Sequence, residues 1–114
     1  IDWLPTLAGL LGYHPEKPHE LDGVDLAPVV FKNEALPKRD LYWIWYPKPS
    51  RWALRYGDWK IVRYSTKELK RATDWQLYNL KDDPREKKIV SNEHPEILDQ
   101  LHGLFLKQRA KDLK

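Results

Sequence analysis

The chain of 114 residues contains no cysteine. That absence excludes a disulfide framework, a thiolate metal site and a cysteine nucleophile within this sequence. No apolar run approaches the roughly twenty residues that a membrane-spanning helix needs. No signal peptide is recognisable either. Because the sequence begins at Ile1 within a helix-like pattern and without methionine, we expect it to be a piece of a longer protein.

The chain also lacks a strong charge of one sign. Lys and Arg number 20 against 17 Asp and Glu, and the formal net charge is +3. Such a small excess favours anionic partners mildly and is too weak to indicate nucleic-acid binding. We therefore expect neither nucleic acid nor a membrane among the partners.

Aromatic residues are abundant but uneven in type, with six Trp and six Tyr beside two Phe. Trp and Tyr carry a polar tip on an apolar body, so they suit half-buried sheet faces, interfaces and sugar-binding surfaces. The simplest interpretation is a set of aromatic strands in a small sheet.

The pattern predicts two clear helices and four strands. Leucines at helical spacing mark a short helix within 2–12, with Asp2 as its N-cap. A brief helix follows at 26–31, which Asp25 can cap. The loop Gly57-Asp58 between two aromatic and β-branched runs is a strong hairpin signal. The predicted strands are 41–46, 51–56, 59–64 and 74–80, and the predicted C-terminal helix is 95–111.

These elements predict an α+β fold: a small four-stranded antiparallel sheet covered by a C-terminal helix and preceded by a short N-terminal helix and loops. In the hairpin, Leu54 should face Ile61 and Tyr56 should face Trp59 on the core side. The like-charged pair Arg55 and Lys60 then points the other way, towards water, Asp74 or a bound anion. The predicted core consists of Leu54, Ile61, Leu77, Leu98, Leu101 and Phe105.

No catalytic or metal-binding constellation is recognisable. His94 and His102 lie about 12 Å apart along a helix, too far to share a metal ion. His14 and His19 occupy a proline-rich loop without ligand spacing. The remaining candidates also lack the required context: Asp22 and Asp25 for calcium, Ser50, Ser65 and Ser91 for a nucleophile, and the turn pair Asp82 and Asp83 for paired carboxylates.

Five segments in order nevertheless resemble the formylglycine-dependent sulfatases, the arylsulfatase-like family. Residues 2–7 (DWLPTL) are similar to its D-I-x-P-T-L helix, and 21–28 (LDGVDLAP) to its L-D-G-x-S/D-L-x-P segment. Residues 39–43 (RDLYW) resemble R-x-L-Y/F-W, and 53–61 (ALRYGDWKI) resemble A-x-R-x-G-D-W-K-L. Residues 76–86 (QLYNLKDDPRE) resemble E-L-Y-D-L-x-x-D-P-x-E, although the Asn-Leu that often follows is replaced by Ile-Val.

The resemblance implies a C-terminal subdomain whose parent hydrolyses sulfate esters. Residues 1–38 would be the end of the large sulfatase domain and its linker, and 39–114 the small sheet-and-helix subdomain. The family's formylglycine arises in a C/S-x-P-S/A-R motif that this sequence lacks. Its calcium ligands also precede this region, so catalytic and metal-binding residues are expected to be absent here. A periplasmic or extracellular location is implied.

A substrate contact is predicted on the loop after the first strand, where Tyr46, Lys48 and Arg51 combine an aromatic ring with two cations. The expected partners are the missing N-terminal sulfatase domain, a sulfated small molecule or glycan, and a second copy through residues 3–11. Two alternatives stay open: a free-standing module for sulfated or anionic glycans, and a small interaction domain without a ligand. The leucines of the first helix favour the severed piece, because a free module has no use for them.

Overall fold

The structure is a computed structural model that describes residues 1–13, 23–45, 50–64 and 75–112. It divides into two compact units, Ile1–Pro37 and Lys38–Lys114. Expectations for His14, His19, Asp22 and Asp74 fall outside the described residues. The assignment of 1–38 to the end of a large domain stays a prediction.

The first unit contains helix α1 (Trp3–Leu10) and helix α2 (Ala27–Lys32). Asp2 occupies the N-cap position but makes no side-chain capping bond. Its carboxylate instead accepts the backbone N–H of Val24 at 3.0 Å. The predicted N-cap position of Asp2 is confirmed, but its side chain does not cap the helix. Buried Thr6 completes the link, because its hydroxyl donates to the carbonyl of Asp2 and accepts the N–H of Leu26.

Gly23 is required by close packing of the backbone in this unit. A Cβ at this position would collide with the carbonyl group of Ile1. The chain at Gly23 can therefore lie against the start of α1 only because glycine has no side chain. Asp25 accepts the N–H of Ala27 at 2.8 Å. The N-cap position of α2 is occupied by Leu26 and not, as predicted, by Asp25.

The second unit contains a four-stranded antiparallel sheet in the order β1-β2-β3-β4. A long helix, α3 (Pro95–Asp112), packs on one of its faces. This arrangement confirms the predicted α+β fold. The strands are β1 (Asp40–Trp45), β2 (Arg51–Tyr56), β3 (Trp59–Tyr64) and β4 (Gln76–Asn79).

The β2–β3 hairpin has the predicted register, with Leu54 opposite Ile61 and Tyr56 opposite Trp59. Gly57 adopts a positive φ of 60° at the first turn position. Glycine adopts that conformation without steric cost, as two-residue hairpin loops require.

The core lies between the sheet and α3. Leu54, Ile61 and Leu77 from the sheet are fully buried, and Leu101 and Phe105 from α3 are at most 2% exposed. Leu98 is only half-buried at the edge of this cluster, so its predicted full burial is wrong. Its position on α3 turns it partly away from the sheet, whereas Leu101 and Phe105 share the inward face.

The segment after β4 provides hydrogen-bond partners for backbone groups at the outer edge of the sheet. Val90 is 7% exposed, and its N–H donates to the carbonyl of Leu77. The hydroxyl of Ser91 accepts the N–H of Leu77 at 2.9 Å and donates to the carbonyl of Trp75. Backbone groups of the edge strand are thereby paired without a fifth strand. Val90 contributes both to this edge and to the core.

Candidate functional site: the open face of the sheet

The sheet has one face covered by α3 and a second face that we call the open face. Side chains alternate between the faces of each strand, so the register assigns every residue to one of them. The open face carries Leu41, Trp43, Trp45, Arg51, Ala53, Arg55, Lys60, Val62, Tyr64, Gln76 and Tyr78. This set combines aromatic rings with three cationic side chains, those of Arg51, Arg55 and Lys60, in contrast to the apolar core.

The predicted substrate contact lies at one end of the open face. Tyr46 and Lys48 fall outside the described residues, so the structure does not test their role. Arg51 begins β2 and is exposed. Its guanidinium carbon lies 5.6 Å from the centre of the Tyr64 ring, and its partner across the β1–β2 ladder is Trp45. A cation between two aromatic residues can contact an anionic or sugar ligand, but it can also stack internally.

A depression of about 330 Å³ lies further along the same face. It is lined by Trp43, Arg55, Lys60, Leu80, Pro84 and Glu86. Trp43 is 48% exposed, and its partner across the β1–β2 ladder is the small Ala53. Arg55 is exposed, and its Nε donates to the carbonyl of Gly57 at 3.0 Å.

The side chain of Lys60 has a partner that the sequence did not suggest. Its Nζ lies 2.6 Å from Oε1 of Glu86, and both side chains are mostly buried. The expectation that Arg55 and Lys60 share one environment is therefore incomplete, because a carboxylate 26 residues further along the chain pairs with Lys60. Glu86 is held in the left-handed region with φ of 54°, which is uncommon for a residue other than glycine.

Tyr78 lies on the same face beside this ion pair. Burial raises the pKa of Tyr78 above its ordinary value, and the negative charge that Tyr64, Glu86 and Asp83 can carry raises it further. The phenol donates to Oε1 of Gln76 at 2.9 Å. The phenol of Tyr78 is thus neutral, hydrogen-bonded and buried on the β3–β4 half of the open face.

The other predicted chemistry is structural where it is described. Asp82 accepts a hydrogen bond from Asn79, whereas Asp83 accepts the N–H groups of Lys87 and Lys88. His94 stacks edge-on against Trp59, with ring centres 5.0 Å apart. Among the described residues, no three His, Asp or Glu side chains could hold a metal ion. The calcium ion that the resemblance implies would need such ligands, and its placement in the rest of the protein stays a prediction.

Comparison with solved structures gives a consistent result. Ps i-CgsB, a carrageenan sulfatase, matches 94% of this chain at 30% identity with a TM-score of 0.74. Its complex with k-i-k-neocarrahexaose matches at 29% identity with a TM-score of 0.75. The fold is also shared with yidJ of Bacteroides fragilis, assigned as a sulfatase, at 17% identity with a TM-score of 0.71 over 96% of this chain. No family model matches the sequence, and no curated protein matches it.

These likenesses define an α+β subdomain of sulfatase type. The chain belongs to the sulfatase family, as the five motifs in order had indicated. It spans 23% of the Ps i-CgsB chain and 24% of the yidJ chain. No helix within the described ranges is long and apolar enough to cross a membrane.

Proposed function

We propose that the whole protein is a sulfatase that hydrolyses sulfate esters of a sulfated sugar or an aryl alcohol, and that this chain is its C-terminal subdomain. The observation that carries the proposal is the match to Ps i-CgsB over 94% of this chain at 30% identity. Because that protein was solved with k-i-k-neocarrahexaose, carrageenan oligosaccharides are the first sulfated sugars to try. The sulfatase neighbours also support a periplasmic or extracellular location.

The role we assign to this chain is structural, and we propose that it also lines part of the substrate cleft. It contains no C/S-x-P-S/A-R motif for a formylglycine. The formylglycine and the calcium ion that the family implies would both belong to the remainder of the protein. We therefore expect sulfate release by the full gene product with its formylglycine installed, and none by the 114-residue chain.

The experiment compares these two proteins on a chromogenic aryl sulfate and on carrageenan oligosaccharides. Release of sulfate by the full product alone supports the proposal. Turnover by the 114-residue chain would contradict its structural role. A full product that carries formylglycine and hydrolyses neither class of ester would contradict the sulfatase function.

For the substrate contact we propose Tyr46, Lys48 and Arg51. The support is the exposed position of Arg51 beside Trp45, at the start of β2. In the full enzyme, Lys48→Ala together with Arg51→Ala should raise KM about tenfold with little change in kcat, since charge-assisted hydrogen bonds to sulfate are lost. Arg109→Ala, an exposed cation of α3, is the matched control. Unchanged kinetics on the natural ester would remove this loop from the site.

For the partner we propose that the rest of the sulfatase covers the apolar surface of α1. Trp3, Leu4, Leu7, Leu10 and Leu11 are each at least half exposed in this chain. Soluble monomers rarely expose such a contiguous patch. The isolated chain should therefore form a homodimer through residues 3–11.

Sedimentation of the chain with and without residues 1–12 tests this pairing. A concentration-dependent dimer that the deletion abolishes supports the role of α1. Replacing Leu7 and Leu11 by Gln should have the same effect and leaves the backbone intact. Monomeric behaviour of the intact chain at every concentration would contradict it.

A further inference from the structure

The depression lined by Trp43, Arg55, Lys60 and Glu86 has the composition of a sugar-binding site. We propose that it binds one sugar ring that carries a single anionic group, either a sulfate or a carboxylate. This site lies further along the open face than the predicted loop contact at Arg51. Binding there requires no sulfatase chemistry, so the inference goes beyond the proposed function.

Trp43 supplies the surface for the sugar ring. Its side chain is 48% exposed although it lies in the middle of β1. The neighbouring position across the ladder is Ala53, whose small side chain leaves the indole accessible. A flat apolar ring with a polar edge suits the C–H face of a pyranose.

Arg55 supplies the contact for the anionic group. The bond from its Nε to the carbonyl of Gly57 restricts the guanidinium at the rim of the depression. A guanidinium is always charged and presents a planar fork that matches two oxygens of a sulfate or carboxylate. A side chain that is already restrained loses less conformational freedom on binding.

The Lys60–Glu86 pair sets the net charge of the site. At 2.6 Å the two charges offset each other, so the three ionic groups together carry one positive charge, that of Arg55. A ligand with one negative charge is the best complement, because further anionic groups would approach the Glu86 carboxylate. The pair also offers an acceptor and a donor for hydroxyl groups.

Two further features agree with a ligand of this size. The volume of about 330 Å³ falls at the small end of ligand pockets, which span roughly 300–1,000 Å³. Glu86 keeps a left-handed backbone, with φ of 54°. Backbone strain of this kind is found preferentially at ligand sites.

The test uses the 114-residue chain and NMR of its indole N–H groups. The probes are a monosulfated galactose disaccharide, the same disaccharide without sulfate, a galacturonate disaccharide and inorganic sulfate. Trp43→Phe identifies the Trp43 signal among the six indole signals. We expect that signal to shift saturably with a charged disaccharide, and affinity to fall about tenfold without the charged group.

Variants locate the ligand. Trp43→Ala and Arg55→Gln should each weaken binding about tenfold, and Arg55→Lys should restore part of the loss, since it keeps the charge without the fork. The controls are Trp45→Ala, on the same strand and the same face as Trp43, and Arg109→Gln, an exposed cation of α3. Both should change affinity less than about twofold. Because Trp43 and Arg55 are both partly or fully exposed, circular dichroism should show that their variants fold.

Each result decides the matter. Binding of either charged disaccharide with this variant pattern supports the site, and the better probe identifies the anion. Three results would overturn it: absence of saturable shifts, inorganic sulfate binding as tightly as the disaccharides, or loss of binding in the Trp45 and Arg109 variants instead. Absence of sulfatase activity in the full protein would contradict the proposed function but would not affect the test of this sugar site.

Discussion

The two faces of the sheet are built from the same strands but contain the most buried and the most exposed large side chains of the sheet. Leu54 and Ile61 on the covered face are fully buried, whereas Trp43 and Trp45 on the open face are 48% and 66% exposed. Adjacent positions along a strand, whose side chains point to opposite faces, thus have opposite roles. The covered face excludes water and supplies stability, while the open face keeps large aromatic and cationic side chains available for contacts.

The open face is itself uneven. Val62 and Tyr78, on β3 and β4, are 5% and 7% exposed. Within the described part of the open face, the exposed aromatic residues are Trp43 and Trp45 of β1, which lie beside Arg51 and Arg55 of β2. The comparison therefore predicts stability effects from the covered face and the β3–β4 half, and ligand effects from the β1–β2 half.

The largest expected effect comes from the core. Leu101→Ala should lower the free energy of unfolding by about 2–5 kcal/mol, because it leaves a cavity between α3 and the sheet. Leu106→Ala is the control, since Leu106 lies on the same helix and is 52% exposed. Urea denaturation of both variants measures the difference. Equal losses would show that α3 does not dock through the Leu101 side.

A smaller effect on stability is expected from the Lys60–Glu86 ion pair, which lines the depression. Glu86→Ala should cost about 1 kcal/mol, because it leaves the mostly buried Lys60 ammonium without its partner. Glu86→Gly loses the same pair but relieves the left-handed backbone, so it should be more stable than Glu86→Ala by about 0.5 kcal/mol. Thermal unfolding ranks the two variants. The reverse order would show that the backbone at this position is unstrained.

Alkaline pH should weaken the buried half of the open face. The pKa of Tyr78 is raised in the folded chain by burial and by neighbouring negative charge. The folded state thus holds the phenolic proton more tightly than the unfolded state. This stability is fully present below the ordinary pKa of about 10 and is lost as the pH rises through the folded pKa. Urea midpoints at about pH 8 and pH 11 should therefore fall less in Tyr78→Phe than in the wild type. Equal falls would exclude Tyr78 as a source of the alkaline loss.

The smallest effect is expected at the exposed end of the open face. Trp45→Ala should change the free energy of unfolding by less than about 0.5 kcal/mol, although it removes the largest side chain of all, because 66% of Trp45 is already exposed. Chemical denaturation gives the value directly. A loss of about 2 kcal/mol or more would mean that this end is packed in solution and unavailable to a ligand.

Sequence patterns were most informative where interactions are local. Alternating apolar residues and the Gly57 turn predicted the β2–β3 hairpin and its register, which the structure confirms. The leucine spacing of the last helix predicted its inward face apart from Leu98. Local patterns succeed here because the strand period of two and the helix period of 3.6 assign faces directly.

The candidate site was less accessible to sequence reasoning. The Arg55 and Lys60 pair was recognised as facing away from the core, which was a usable signal. The contribution of Trp43 and Glu86 was missed, since neither lies close to that pair in sequence. The D-P-x-E motif supported the family resemblance, but motif similarity does not reveal which lysine its glutamate contacts.

Composition and periodicity determined the fold class, the hairpin register and most of the core, because each depends on backbone geometry and on burial of apolar side chains along short segments. The sulfatase motifs likewise lie within short segments and need no coordinates. Only the tertiary structure decided that Glu86 pairs with Lys60 across 26 residues and that Trp43 stays exposed beside Ala53. Such contacts depend on how distant segments pack together, and no local periodicity encodes that arrangement.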